Sequence, residues 1–547
     1  MSKTVIEHVI SRLHDIGITD IFGVPGDYSF PVNDAICNDK NVRWVGCCNE
    51  LNAAYAADGY ARIKGVGAIC TTYGVGELSA INGIAGSFAE HLPIFHLVGT
   101  PNMATQSGRK LVHHTLGNGE YDLFRRMSEP VVAATAVMTP ANSAYETERL
   151  IFEALCHRRP VYMAFPADLA GLPMLGEASP IAMPASNPDA LKAVADHIVF
   201  ALERAERACV LAGMLVGRAN CRRQLEAMLG ASGLPFATMF MGKSVLDEQH
   251  PSYIGMYDGA LLEEGVRAQV EGANVVLNVG APMTDFNSGA FTAHLDAAKT
   301  IYIRHHATQI GNKTYADVEM GDLLVELARR LPHREWHKSA PRSLGPVKGD
   351  GAAAIDAESL YPRWADFIAP GDIVIAETGT ASMGLGFALM PNGATFHNQT
   401  LWGSTGWATP AAFGAAVAAP ERRIVLITGD GSHQLTVQEI AQFGRLGLKP
   451  IVFVLNNNGY LIERLLCKDP EIAYTDIAQW HYTQLPRAFG CDDWVTARVT
   501  TNAELDAALK MAAMAKTGVY VEVVTDTYAA SPLALKLHDA MQALYGA

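Results

Sequence analysis

The chain alternates short apolar runs with stretches whose apolar residues recur every three or four positions. Residues 424–428 (IVLIT) and 451–455 (IVFVL) are nearly unbroken Val, Ile and Leu. Such runs suit parallel strands buried on both faces, with helices crossing over between them. The same pattern predicts strands near 20–24, 42–48, 67–72, 94–98 and 160–165, and in the middle of the chain at 275–280 and 301–304. A helix is expected over 436–446. The N-terminal stretch MSKTVIEHVISRLHDIG reads as an amphipathic helix with Val5, Val9, Ile10 and Leu13 on one side. Strand and helix alternate throughout, so the expected class is α/β, repeated three times.

Two stretches break the periodicity. Residues 171–190 are rich in Pro, Ser and Gly, and residues 336–358 mix Pro, Gly and Lys. Composition of this kind marks domain boundaries. The expected domains are 1–180, 188–340 and 358–547. A chain of 547 residues exceeds what one hydrophobic core holds. The first and last blocks share a plan. Residues 68–99 run strand, Gly turn, helix, Pro, strand, and residues 422–459 do the same, which suggests an internal duplication.

Charge narrows the partners. With 42 basic and 56 acidic residues and a net charge of −14, the chain has no basic run for nucleic acid or for an anionic membrane. No apolar run approaches the ~18 residues of a membrane span, and the first helix lacks the apolar core of a signal peptide. Nine cysteines without a CxxC read as reduced thiols. A soluble cytoplasmic protein is expected.

The sharpest motif is Gly429-Asp430-Gly431-Ser432 after one buried run, with Asn456-Asn457 closing the next. A glycine turn before a helix lets the backbone approach phosphate. Asp430 and Asn457 add oxygen ligands at two strand ends, which suits Mg²⁺. Either element alone is more often a simple turn. Together, on consecutive buried strands, they are far more specific.

This pairing resembles the thiamine-diphosphate-binding motif of the family that includes pyruvate and indolepyruvate decarboxylases. The resemblance covers essentially the whole chain. It implies three doubly wound parallel-sheet domains: pyrimidine-binding, middle and diphosphate-binding. It also implies a homo-oligomer, a dimer of dimers, with active sites at the subunit interface. The activity it implies is non-oxidative decarboxylation of a 2-keto acid to an aldehyde and CO₂ through the cofactor's ylid.

Carried over residue by residue, Asp430, Asn457 and the Gly459 carbonyl would ligate Mg²⁺. Thr380, Gly431 and Ser432 would help hold the diphosphate, and Thr378 is a further cofactor-binding residue. Glu50, in VGCCNELNAAYAADGYAR, matches the glutamate that contacts the aminopyrimidine N1′. It follows an apolar strand at a helix start, so partial desolvation and a raised pKa are expected. Alone it would read as a first-turn residue favoured by the helix dipole. The Gly403 carbonyl matches the acceptor of the 4′-amino hydrogen. Two residues on, Thr405 stands where the family usually has Ile, Leu or Met; it is stiff enough to act as a wedge, with a smaller contact.

Proton handling falls to four further residues. His113 and His114, in KLVHHTLG, match the histidine pair of the decarboxylase branch. Asp27, in GVPGDYSF, and Glu463, in NNNGYLIERLL, match its two acids. Groups titrating near neutrality suit protonation and aldehyde release, and an apolar pocket would keep Glu463 protonated. Related enzymes such as acetolactate synthase, pyruvate oxidase and benzoylformate decarboxylase share the cofactor motifs but generally lack the histidine pair. A non-catalytic binding protein would not need the acids and histidines.

For the substrate pocket, Ser382 and Met383 stand where pyruvate-preferring relatives carry bulky aromatics, while Phe286 and Ile462 narrow another wall. This predicts a preference for side chains larger than that of pyruvate. Some relatives are activated through a middle-domain cysteine. Leu215-Val216 occupy the corresponding place here and Cys221 lies beyond it, so no such activation is expected.

Overall fold

The expected strands assemble into three sheets in a computed structural model that describes residues 3–545. The chain forms two compact units. One comprises Met1–Met183, Thr409–Glu421 and Thr436–Leu448; the other comprises Pro184–Ala408, Arg422–Leu435 and Lys449–Ala547.

The first unit holds a six-stranded parallel sheet. Its order is Arg43–Gly46, Asp20–Gly23, Gly67–Thr72, Ile94–Thr100, Val161–Pro166 and Ala134–Val137. The N-terminal helix, Val5–Asp15, starts at a capping box in which Thr4 and Glu7 satisfy each other's backbone N–H. Its Val5, Val9, Ile10 and Leu13 are all buried, in one cluster with Leu150, Val161 and Met163.

Helix Glu50–Lys64 is buried along nearly its whole length, from Asn52 to Arg62. Small residues make that possible. A Cβ on Gly59 would stand 2.0 Å from the Ala411 carbonyl oxygen, and one on Gly414 would stand 1.8 Å from that of Ala56. The two backbones therefore cross in contact. Charge on the buried helix is neutralised within the unit. Arg62 lies 2.7 Å from Asp58 and 3.4 Å from Glu90, and the Ser87 hydroxyl donates to Asp58.

The second unit holds two sheets. In one, Thr300–Ile303, Val275–Val279, Ala208–Ala212, Phe236–Thr238 and Tyr253–Met256 run parallel, and the hairpin Ala307–Ile310 and Lys313–Ala316 extends the edge antiparallel. In the other, the parallel order is Thr395–His397, Ile373–Ala376, Ile424–Gly429, Ile451–Asn456, Val519–Val524 and Val495–Val499. Counted along the chain within each sheet, this order and that of the first unit's sheet both read 2-1-3-4-6-5. The shared topology is what the repeated strand–turn–helix plan suggested. A buried pair, Lys243 and Glu248, ties the two sheets' segments together: Lys243 donates to the Ala388 carbonyl and Glu248 accepts from Met390 N.

The expected helix over 436–446 is not one helix. Helix Asp430–Thr436 comes first, then a single tight turn at Val437–Glu439, then helix Ile440–Arg445. Thr436, at φ −140°, leaves helical geometry and causes the break. Between 331 and 356 the chain has no helix or strand. Among the described residues no helix is long and apolar enough to cross a membrane.

Candidate active site

Strands Ile424–Gly429 and Ile451–Asn456 lie side by side, with Gly429 opposite Leu455. Parallel pairing brings their C-terminal ends together, and the two motif segments with them. Asp430 opens the helix after the first strand and is 1% exposed. Its carboxylate accepts from Gly431 N at 2.8 Å and Gly459 N at 3.1 Å. Burial pushes this carboxyl up to about 6, against the pull of backbone N–H groups from Gly431, Gly459, Asn458 and Asn457.

The Asn457 amide can present either end to this cluster. Nitrogen inward, it donates to the Gly459 carbonyl at 2.9 Å and to Asp430 Oδ1 at 3.3 Å. Oxygen inward, three acceptors face one another with no proton between them, an arrangement that a cation satisfies. Octahedral Mg²⁺ at its usual ligand distance places neighbouring oxygens about 2.9 Å apart. The donor set is all oxygen and carries one carboxylate, so the residues fit that ion.

One pocket is lined by Thr378, Thr380, Asp430, Gly431, Ser432, Asn457 and Gly459 together. Its glycines are required. A Cβ on Gly431 would sit 2.6 Å from the Tyr460 ring, and Gly459, at φ 144°, would place one 2.5 Å from the Thr475 carbonyl. In the same unit Gly403 takes φ 65°, and its N–H donates to the Gln399 carbonyl at 3.2 Å. The Thr378 hydroxyl donates to that same carbonyl at 2.8 Å. Thr405 is exposed on this loop.

A second group sits in the first unit. Asp27 Oδ2 lies 2.7 Å from His113 Nε2, and His114 joins them so that ligand-type atoms of all three lie within 4.8 Å of one another. His114 turns inward by adopting φ 61°, uncommon for a residue with a Cβ. Tyr28, which the sequence did not single out although it adjoins Asp27, stacks on His113 at 4.8 Å and donates to its carbonyl. Glu50 is the first residue of its helix, capped by Asn49, and is half-buried. Its carboxylate faces Gly76, where a Cβ would stand 3.4 Å away. Thr72 separates the two groups, against Gly26 on one side and Gly76 on the other.

Glu439 was also missed. It is fully buried in this unit, and its carboxylate accepts from Cys48 N at 3.2 Å and Asn52 Nδ2 at 2.8 Å. Burial raises its pKa. It therefore braces the turn that presents Glu50. Its only sequence signal was an acid in an otherwise apolar helical run.

One expectation needs correction. Glu463, on helix Leu461–Leu466, is exposed, so no apolar pocket of its own unit encloses it. The helix buries Leu461 and Arg464 instead, and Glu463 falls on the opposite side. The four residues expected around the substrate fall in different places. Phe286 and Met383 line a narrow cavity with Leu533 and Leu537. Ile462 packs over Gly379 beside the Asp430 pocket. Ser382 is buried, with its hydroxyl donating to the Gly379 carbonyl, and borders neither space. A small hydroxyl this close in sequence to a tight turn is consumed by the turn. Cys221 is buried at the start of helix Arg222–Ser232.

The chain matches three consecutive families, described as the N-terminal TPP binding domain, the central domain and the C-terminal TPP binding domain of thiamine pyrophosphate enzymes. The matched residues are 3–121, 195–328 and 377–523. It is similar to the alpha-keto-acid decarboxylase of Mycobacterium tuberculosis, 40% identical over 536 residues, covering 95% of this chain and 94% of the relative. The alpha-keto-acid decarboxylase of Mycobacterium leprae is 41% identical over 531 residues, 95% of this chain and 92% of that one. That of Mycobacterium ulcerans is 40% identical over 524 residues, with 93% and 91% covered. The chain belongs to the thiamine-diphosphate-dependent 2-keto acid decarboxylase family.

Proposed function

We propose that the chain decarboxylates a 2-keto acid to an aldehyde and CO₂ without oxidation, using thiamine diphosphate and Mg²⁺. The observation that carries this reading is the meeting of Asp430, Asn457 and the Gly459 carbonyl in one pocket with Thr378, Thr380, Gly431 and Ser432. These three ligands would hold Mg²⁺, and the two threonines, Ser432 and the Gly431 backbone would hold the diphosphate. When bound, thiamine diphosphate supplies the carbon nucleophile and the electron sink for the lost CO₂. Glu50 would hold a proton against the aminopyrimidine N1′, the Gly403 carbonyl would accept from the 4′-amino group, and Thr405 would pack against the cofactor. Asp27, His113, His114 and Glu463 would supply and take up protons at the substrate.

The domains are proposed as 1–180, 188–340 and 358–547. The working form is a homo-oligomer, a dimer of dimers with active sites at the subunit interface. Exposed Phe30, Val75, Leu111 and Leu116, neighbours in sequence of the Asp27, Glu50-facing and His113 segments, favour such a surface. Among the described residues the nine cysteines form no disulfide, which favours a cytoplasmic location. Phe286, Met383 and Ile462 shape the room for the substrate side chain, which is larger than that of pyruvate.

A panel of 2-keto acids assayed for aldehyde, with and without thiamine diphosphate and Mg²⁺, tests the activity. Aldehyde should appear only with both. Asp430→Ala should fail to retain either by equilibrium dialysis. Acetolactate in place of aldehyde, or a flavin spectrum in the purified protein, would overturn the decarboxylase reading. Normal cofactor binding by Asp430→Ala would overturn the metal assignment.

A further inference from the structure

Strand Ile373–Ala376 ends in Glu377, a carboxyl 1% exposed. Its Oε1 accepts from Thr378 N at 3.1 Å and its Oε2 from Ala408 N at 3.2 Å. The Gly406 N–H and the Thr428 hydroxyl also donate to it. Four donors thus reach it from three places: the start of the diphosphate segment, the end of the loop 399–408, and the strand that delivers Asp430 two residues later. Burial raises this carboxyl to about 7 against those donors.

The other end of the loop is held by Gln399. Its carbonyl accepts from Gly403 N and the Thr378 hydroxyl, and its side-chain oxygen accepts from Ser404 N at 3.0 Å. Gly403 and Thr405 lie between these two anchors. A buried carboxyl is a costly brace where apolar packing would serve. What it adds is direction: it fixes N–H groups of the loop relative to the strand that carries Asp430. A cofactor of fixed length, gripped at its diphosphate by one and at its 4′-amino group by the other, needs that spacing.

We propose that Glu377 is a positioning residue that sets the Gly403 carbonyl at the correct distance from the Asp430 metal cluster, through the loop 399–408. This rests on the proposed cofactor reading. Glu377→Gln keeps the volume but turns an N–H toward at least one backbone N–H, so the loop must shift. Glu377→Asp keeps the charge with a shorter reach.

The test compares wild type, Glu377→Gln and Glu377→Asp. In cofactor-free protein, hydrogen–deuterium exchange of peptides covering 399–408 should rise in the Gln variant and less in the Asp variant. With cofactor and Mg²⁺, kcat should fall about 10- to 100-fold. The KM for the 2-keto acid and the Mg²⁺-dependent cofactor Kd should stay within about threefold, because the Asp430 cluster is untouched. If Glu377→Gln does not fold, the Asp variant carries the same readings. Unchanged exchange and kcat overturn the proposal. So does a parallel collapse of kcat, KM, cofactor affinity and melting temperature, which is the mark of a merely structural brace. Failure of wild type to bind thiamine diphosphate would instead sink the cofactor reading and leave the exchange result standing.

Discussion

Glu50 sits in a first helical turn whose Asn52 N–H is capped by the Asn49 side chain, and its carboxylate faces Gly76. Replacing it by Gln should leave the fold intact and abolish most turnover, since an amide cannot pass a proton to N1′. NMR exchange of the bound cofactor's C2 proton reads this directly; exchange as fast as wild type would remove the role. Glu77 offers a pH test in the same unit. It is buried, it accepts from Gly74 N and the Tyr162 hydroxyl, and burial raises it to about 7. The folded protein then holds a proton that the unfolded chain releases near pH 4. Stability should fall as pH rises from about 4 to about 7 and level off above, by at most about 3 kcal/mol. Glu77→Gln should remove that slope, raising the urea midpoint at pH 8 relative to wild type but not at pH 5; equal pH profiles would refute it. The Asp430–Asn457 group was legible in the sequence because each member is fixed by the end of a buried strand, and strand ends can be read from apolar runs. The exposure of Glu463 and the burial of Ser382 were not legible, because exposure depends on which face of a short helix or turn packs inward, which one motif does not encode.

At the scale of elements, the crossing of helix Glu50–Lys64 with residues 409–418 is the tightest contact that the glycines describe. Gly59→Ala puts a methyl where the Ala411 carbonyl stands, and neither backbone can yield alone. The variant should lose about 1–3 kcal/mol or more, seen as a lower melting temperature, and should lower activity by moving Glu50. A melting temperature equal to wild type would show that the crossing can relax. Several central strands, among them Gly67–Thr72, Ile424–Gly429 and Ile451–Asn456, were read to within a residue or two because both faces are apolar, while the equally buried Ala208–Ala212, Ile373–Ala376 and Val519–Val524 were not named. The edge strands Ala134–Val137 and Val495–Val499 escaped notice. Their partly exposed faces carry Ala, Thr and Arg, which dims the apolar signal.

The molecule as a whole repeats one six-stranded topology, once in each unit. On the proposed function, the wall around the substrate side chain sets which 2-keto acid is preferred. Here Phe286 and Met383 face a cavity that Met256, Leu533 and Leu537 also line, so unbranched, adaptable Met side chains stand beside the aromatic Phe286. Met side chains yield to a longer substrate side chain at less cost than aromatic ones in their place. Each further buried methylene is worth about 0.8 kcal/mol, roughly fourfold in affinity. Three or four added carbons shift preference by about two orders of magnitude if binding follows burial. Linear or aryl-bearing 2-keto acids should therefore show higher kcat/KM than pyruvate, and Met383→Phe should move preference back toward pyruvate. Ser382→Trp, attractive from sequence alone, is a poor probe, since Ser382 is buried against Gly379 and a Trp there would disturb the fold. Steady-state kinetics on pyruvate, 2-ketohexanoate and phenylpyruvate decide the matter: a wild-type enzyme faster on pyruvate than on both larger acids rejects the pocket assignment and leaves the decarboxylase chemistry untouched.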